Sequence, residues 1–349
     1  MLNNFFSRFR KSLGIDLGTA NTLINIRGRG IVINEPSVVS VNTRTEQILA
    51  VGNEARQMIG KTPPHIVTTR PLTNGIISDF EVTEKMLSYF MEKINEGSFN
   101  FFSRPKVVVG APINLTEVER KAVSDAVLNA GASSVYIVEE PMAAAIGSRM
   151  PIQEPVGNFI VDIGGGTAEI AVISLGGIVK WRSLKVAGDQ FNQNISQYAR
   201  DTFNLLVGDR QAEEIKIKIG SAIELNERME YPIRGRDVLT GLPKEIMIND
   251  EQVREALLPS LKLIVDNIKA VLESTPPELI ADIHERGILL TGGGALLRGI
   301  NTLITRATNI PVRIADDPLT AVVRGTSLLL ENQELLEEVA VYPLKEYKK

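Results

Sequence analysis

The sequence predicts an α/β protein made of two copies of one domain plan, each a mixed sheet flanked by helices and carrying an inserted subdomain. Three observations carry that prediction. The first is a loop that occurs twice, as Gly14-Ile15-Asp16-Leu17-Gly18-Thr19 and as Val161-Asp162-Ile163-Gly164-Gly165-Gly166-Thr167. In each copy an apolar, strand-like run ends in an aspartate and is followed by glycines and a threonine. These residue types wrap backbone N–H groups around phosphate while a carboxylate faces its metal. The second is the alternation of strand-like and helix-like segments in both halves. The third is length, since 349 residues exceed the size at which one hydrophobic core stops growing. The half-sites, headed by Asp16 and Asp162, are expected to face each other across a nucleotide cleft and to make it a nucleotide-dependent hinge.

The elements follow in order. A strand through Asp16, a turn at Thr19-Ala20-Asn21 and a strand from Thr22 to Ile26 form a β-hairpin. Strand-like segments at Ile31 to Ile33 and Val38 to Val41, then a charged excursion through Lys61-Thr62-Pro63-Pro64-His65, mark an insertion over about residues 34–72. Helical periodicity runs from Val82 to Ile94. Lys106 to Val109 reads as a buried strand, Glu117 to Asn129 as an amphipathic helix and Val135 to Val138 as a strand. From Phe159 the plan repeats, with strands through Ile173 and from Ile178 to Ser183, where Trp181 is expected to pack. A long helical insertion over about 184–257, a buried strand at Ile288 to Leu290 and a helix starting near Leu296 complete it. The expected domains are 1–148 with 325–349, and 149–324.

A third glycine cluster, Gly292-Gly293-Gly294-Ala295, again follows a buried strand, and such a turn lets a flat ring or a phosphate approach the backbone. Two further segments, Glu139-Glu140-Pro141-Met142-Ala143-Ala144-Ala145-Ile146-Gly147 and Leu319-Thr320-Ala321-Val322-Val323-Arg324-Gly325, place small residues four apart. Ala143 with Gly147, and Ala321 with Gly325, predict two helix backbones that cross closely and act as a hinge.

Composition narrows the options. The absence of cysteine excludes disulfides, thiolate metal sites and cysteine nucleophiles, and fits the cytoplasm. A net charge of −4 with interspersed signs provides no basic surface for nucleic acid, and no apolar run approaches the roughly 20 residues that span a bilayer. P-loop, dinucleotide-fold and zinc-protease motifs are missing. His65 and His284 stand far apart in segments that suit surface or structural roles. The first residues differ from the rest. On a helix Leu2, Phe5, Phe6 and Phe9 share a face while Arg8, Arg10 and Lys11 flank it, which suits an anionic membrane surface, the alternative being a tail that packs on its own domain or stays loose. Phe99, Phe101 and Phe102, followed by Arg104-Pro105-Lys106, describe either a loop packed on the core or a membrane-inserting tip of the same kind, and the second reading agrees with the N-terminal segment.

Two phosphate loops, an adenosine loop and two small-residue helices, in this order, resemble the actin, Hsp70 and sugar-kinase superfamily, whose fold is actin-like (ribonuclease H-like). Asp16-Leu17-Gly18-Thr19-Ala20-Asn21-Thr22, Asn34-Glu35-Pro36-Ser37-Val38-Val39, Glu139 to Ala145 and Asp162 to Thr167 closely resemble the MreB family of bacterial actins. The resemblance implies ATP/ADP and Mg2+ as ligands, with Asp16 and Asp162 holding the ion. Gly18, Thr19, Ala20 and Asn21 on one side and Gly164, Gly165 and Gly166 on the other would neutralise the phosphates. Eukaryotic actins carry a lysine where Asn21 stands, which leaves more of that work here to the ion and the backbone. Glu140 and Thr167 resemble the family's water-positioning pair, with Glu139 the competing residue.

Gly188 and Asp189, with Ala212, Glu213, Glu214, Ile215 and Lys216, correspond to the ribose- and adenine-contacting region, although a solvated salt-bridged face is the ordinary meaning of such a charged run. Gly292 to Ala295 correspond to the adenosine loop. The implied function is an ATP-hydrolysing protein that polymerises head to tail into membrane-associated filaments and organises cell-wall elongation and rod shape. Its implied partners are itself, an anionic membrane surface and cell-wall elongation proteins of the inner membrane, with no nucleic acid. Its implied place is the inner face of the cytoplasmic membrane. The alternative is a small-molecule kinase on the same fold, for which no second polar cluster that would bind a sugar or carboxylate is evident.

Overall fold

The structure, a computed structural model, describes residues 12–95 and 104–342. The basic aromatic N-terminal segment and the loop with Phe99, Phe101 and Phe102 lie outside the described residues. In the first half the strands are β1 (Ser12–Leu17), β2 (Asn21–Ile26), β3 (Gly30–Pro36), β4 (Val39–Asn42), β5 (Ile48–Val51), β6 (Ile66–Thr69), β7 (Leu72–Thr73), β8 (Ile76–Ile77), β9 (Lys106–Ala111) and β10 (Ser134–Glu139). Its helices are α1 (Asn53–Met58), α2 (Phe80–Asn95), α3 (Glu117–Asn129) and α4 (Glu140–Gly147). The second half adds β11 (Asn158–Ile163), β12 (Ala168–Ser174), β13 (Gly177–Leu184), α5 (Gly188–Phe203), β14 (Leu205–Leu206), α6 (Asp209–Ile219), β15 (Glu230–Asp237) and β16 (Pro243–Asn249). After these come α7 (Asp250–Ser274), α8 (Pro277–Arg286), β17 (Ile288–Thr291), α9 (Ile300–Thr308), β18 (Val312–Ile314), α10 (Ala321–Leu329) and α11 (Gln333–Val339).

The chain divides into two compact units: Met1–Glu154 with Leu175–Gly177 and Thr320–Lys349, and Pro155–Ser174 with Ile178–Leu319. Each is built on a five-stranded sheet, and the two sheets repeat one topology. The first has the order β10-β9-β1-β2-β3 and the second β18-β17-β11-β12-β13. In each, the strand that ends at the aspartate pairs antiparallel with the next strand and parallel with a later one. The registers repeat as well: Asp16 lies opposite Leu23, and Asp162 opposite Glu169. The duplication expected from the two loops therefore extends through the sheets.

The central strands are buried on both faces, which is why they read as continuous apolar runs rather than alternating ones. In the first unit Ile15, Val107, Val109 and Ile137 pack with Leu87 and Phe90 of α2 and Val127 of α3. In the second, Phe159, Val161 and Ile170 pack with Phe191, Ile215 and Ile268 from the flanking helices. Burial of a large side chain of this kind contributes about 1.5–3 kcal/mol. Helix starts follow from caps. Glu119 N–H donates to Thr116 Oγ1 at 3.3 Å while Thr116 N–H donates to Glu119 Oε2 at 2.7 Å, so α3 spans the residues expected of it. Asn249 and Gln252 exchange the same pair of bonds, each at 3.0 Å, to begin α7.

Between β3 and α2, the three-stranded sheet β5-β4-β6 and α1 form a satellite with its own small core around Val38, Ala50 and Ala55. In the second unit the corresponding stretch contains α5, α6 and the β14-β15-β16 sheet. The two small-residue helices cross within the first unit. A Cβ added at Gly147 would lie 2.0 Å from the Ala321 carbonyl oxygen, and one added at Gly325 only 1.8 Å from that of Ala143. Only glycine allows this approach.

Two expectations need correction. No α-helix starts near Leu296: Gly293–Leu296 is a single 3-10 turn, and α9 starts at Ile300, because Gly292 and Gly299 adopt positive φ and interrupt the helix at both points. Trp181 is not packed in its strand but 47% exposed, because β13 is an edge strand and most of its residues face solvent. Among the described residues no helix is long and apolar enough to cross a membrane.

Candidate functional site

The first of the two glycine loops is the β1–β2 turn. Gly18 N–H donates to Asn21 O at 3.1 Å, and a Cβ at Gly18 would stand 2.8 Å from that oxygen, so the turn requires glycine. Ser37 holds the turn from behind. Its hydroxyl donates to Gly18 O at 2.7 Å and contacts Thr22 Oγ1 at 2.9 Å, while its N–H donates to Ala20 O at 3.0 Å. Thr19 is buried, and its hydroxyl accepts the Gly75 N–H at 2.7 Å. Three carbonyls of the turn, those of Gly18, Ala20 and Asn21, are thus engaged by the protein, which is the arrangement of a loop that meets an anion with its N–H edge. Asp16, half-buried, heads the turn.

The second loop has the same geometry: Gly164 N–H donates to Thr167 O at 2.9 Å. Its outer carbonyls are taken by the first turn of α5, where Gly188 N–H donates to Gly164 O at 3.1 Å and Asp189 N–H to Gly165 O at 2.8 Å. Lys216 on α6 donates to Gly188 O at 2.9 Å. Gly164, Gly165, Gly188, Asp189 and Lys216 therefore form one connected group. On the same helix Ala212 and Ile215 are fully buried in the core, and Glu214 pairs with Arg210 at 3.2 Å. Glu213 stands one turn before Lys216 and is half-buried.

Asp162 is almost completely buried, and its Oδ1 has no hydrogen-bond partner among the described residues. Burial pushes its carboxyl up to about 6, with a hydrogen bond from the Thr291 side chain opposing the shift. The third glycine cluster explains its confinement. A Cβ at Gly292 would lie 2.4 Å from Ile163 O and 2.5 Å from Asp162 Oδ1, and one at Gly294 only 2.2 Å from the Ile163 side chain. Gly292 and Gly294 are glycines because the turn after β17 presses on the end of β11. Gly293 is exposed, so it presents open backbone, while Ala295 is fully buried. An orphaned, buried carboxylate oxygen beside a glycine turn has the chemistry that suits a hard divalent cation such as Mg2+. When bound, such an ion supplies charge neutralisation at the phosphates.

Glu140 is the first residue of α4 and is buried, with Pro141 in the same first turn. Glu139, at the N-cap, is half-buried. Burial raises its carboxyl above the usual range, and nearby Arg120 opposes the shift. Thr167 is buried at the far end of the second loop. Three residues of these surroundings escape sequence reasoning. Ser37 lies in the quoted Asn34 to Val39 motif without an assigned role. Gly75 belongs to the Asn-Gly turn between β7 and β8, a legible hairpin signal whose contact with Thr19 spans 56 residues. Glu169, fully buried, stands opposite Asp162 in the β11–β12 register.

Comparison with known proteins places this geometry. The MreB/Mbl protein family model matches residues 10–338. The chain is 49% identical over 333 residues to the cell shape-determining protein Mbl of Bacillus cereus, covering 95% of this chain and 99% of that protein. It is 47% identical over 335 residues to the cell shape-determining protein MreB of Escherichia coli, covering 95% and 96%. Among solved structures, MreB5 of Spiroplasma citri bound to ADP superposes with a TM-score of 0.89 at 37% identity, covering 95% of this chain and 98% of that one. These matches support the cell-shape reading and not the small-molecule kinase. The fold is actin-like, and the chain belongs to the MreB/Mbl family.

Proposed function

We propose that the chain binds and hydrolyses ATP with Mg2+ and polymerises into filaments that lie on the inner face of the cytoplasmic membrane. There it organises cell-wall elongation and rod shape together with elongation proteins of that membrane. The observation that carries the reading is the duplicated phosphate turn, Gly18 N–H to Asn21 O and Gly164 N–H to Thr167 O, each headed by an aspartate, in a chain of this family. The binding of ADP by the Spiroplasma citri relative supports the nucleotide assignment.

In this reading Asp16 and Asp162 hold the ion, and the backbone N–H groups of both turns bind the β- and γ-phosphates. Lys216 and Glu213 contact the sugar and base beside Gly188, and Gly293 offers its open backbone to the adenosine. Glu140 accepts a hydrogen bond from the attacking water, with Thr167 as its companion. Self-association is further supported by an apolar tip between β15 and β16, where Val238, Leu239 and Leu242 are 43%, 78% and 65% exposed. Asp237 stiffens the tip by accepting the N–H groups of Leu239 and Thr240, each at 2.9 Å. Exposed apolar clusters of this kind mark contact surfaces.

Pelleting across protein concentrations with ATP and anionic liposomes, with phosphate release followed in parallel, tests the reading. A threshold concentration with filaments on lipid is expected; turnover without any threshold, and only with an added small-molecule acceptor, would refute it. Glu140→Ala is expected to preserve nucleotide binding and slow phosphate release roughly a hundredfold. Unchanged release in that variant, with a loss in Glu139→Ala, would transfer the role to Glu139. Phe5→Glu combined with Phe9→Glu is expected to release filaments from liposomes while leaving them intact; undiminished co-sedimentation would remove the N-terminal segment from lipid binding.

A further inference from the structure

We propose that the groove between β5 and α2 docks an extended, basic segment of a partner protein, which adds to the small sheet as a fourth strand. β5 is an edge strand: it pairs with β4 and, among the described residues, with no other strand. Its sequence, Ile48-Leu49-Ala50-Val51, contains neither charge nor proline. Edge strands without charge or proline recruit further strands, and the one blunting device here is a bulge between Ile48 and Ala50, opposite Ser40 and Val41. Beside this edge lies a cavity of about 540 Å³, closed on the far side by α2. Its apolar surface is open to solvent, with Leu49 44% and Tyr89 37% exposed.

The charges around it select the occupant. Glu46, Glu54 and Glu92 line the groove and are exposed, against a single lysine, Lys85, whose ammonium donates to the Glu46 carbonyl at 3.4 Å. Three carboxylates around an apolar floor favour a strand that alternates small apolar residues with lysine or arginine. The apolar side chains enter the cavity and the cations meet the rim, while main-chain hydrogen bonds to β5 supply the common part of the affinity. A second copy of this chain, with its net charge of −4, is a poorer match for an acidic groove. All these residues belong to the first unit, and none belongs to the nucleotide loops.

The test uses the full chain and a fluorescein-labelled peptide of alternating lysine and valine, read by anisotropy and by amide hydrogen exchange. Saturable binding is expected, weakened roughly tenfold by Glu54→Lys with Glu92→Lys, together with slower exchange at Ile48 to Val51 in the bound state. Should charge reversal disturb folding, judged by circular dichroism, Glu54→Gln with Glu92→Gln takes its place, with a smaller loss expected. Equal binding by wild type and charge variants would overturn the proposal. So would unchanged exchange in β5 at saturation, equal binding of a glutamate–valine peptide, or dimerisation of the protein through this face in place of peptide binding.

Discussion

Gly325→Ala is expected to destabilise the first unit by about 3 kcal/mol or more, near the upper end of what overpacking costs. The added methyl group would lie 1.8 Å from the Ala143 carbonyl oxygen and 2.6 Å from its carbonyl carbon, both backbone atoms of α4. A flexible side chain could swing away, but a helix backbone must move as a body. α4 is buried along its whole length, so α4 and α10 would have to separate by more than an ångström, opening contacts around Ala143, Ala144, Ala145 and Val323. The same constraint seen from the other helix, at Gly147 against Ala321, leaves no sliding motion that relieves it. Urea unfolding is the measurement, with a large fall in midpoint expected. Gly208→Ala is the control, because nothing lies within 4 Å of its added Cβ and its φ is −76°, and its shift should stay within about 1 kcal/mol, the cost of replacing an N-cap glycine. Equal midpoints for the two variants would show that the helices do not need this approach.

Asp162→Asn is expected to stabilise the metal-free protein at neutral pH while abolishing the stabilisation conferred by magnesium with ATP. Burial holds the Asp162 carboxyl at about 6 in the folded chain, against about 3.9 in an unfolded one, a difference worth about 3 kcal/mol. Between these values the native state binds more protons than the unfolded state. The contribution of Asp162 to stability is therefore full below about pH 4 and falls as pH rises through 6, because the buried, ionised carboxylate lacks a counter-charge. Thermal melts in EDTA should show the variant gaining on wild type as pH is raised from 4 to 8. Adding magnesium and ATP should reverse the order by stabilising wild type alone. A constant difference between the two proteins across that range would mean that Asp162 is solvated, and an equal response to magnesium would remove it from the ion's ligands.

Much of this was written locally in the chain. The turns at Gly18 and Gly164 are legible because an apolar run, an aspartate, glycine and threonine state both the strand and the way it must turn. The start of α3 follows from Thr116 and Glu119, three residues apart, and the crossing of α4 and α10 from the spacing of Ala143 with Gly147 and Ala321 with Gly325. The inner strands are legible because burial on both faces leaves no polar alternation. The aspartates that follow β-type runs and the glycines of the two turns were legible from residue types.

Other features have no local signature. Ser37 reaches Gly18 across 19 residues and Gly75 reaches Thr19 across 56, so the buttress of the first phosphate turn emerges only when β3 and the β7–β8 turn are folded against it. On α6, four charged or apolar neighbours look alike in sequence, but packing sends Ile215 into the core, Arg210 holds Glu214, and Lys216 is drawn to Gly188. Trp181 is apolar by composition and exposed by its place on an edge strand. Gly292 and Gly294 read as a ligand turn, yet their lack of side chains is demanded by Ile163 and Asp162. The sequence by itself determined the duplicated strand-turn-strand units, because backbone conformation and hydrophobic period act over a few residues. Which side chains buttress the turns, which acid loses its solvent and which edge stays open were decided by tertiary structure, because those depend on contacts between segments that only folding brings together.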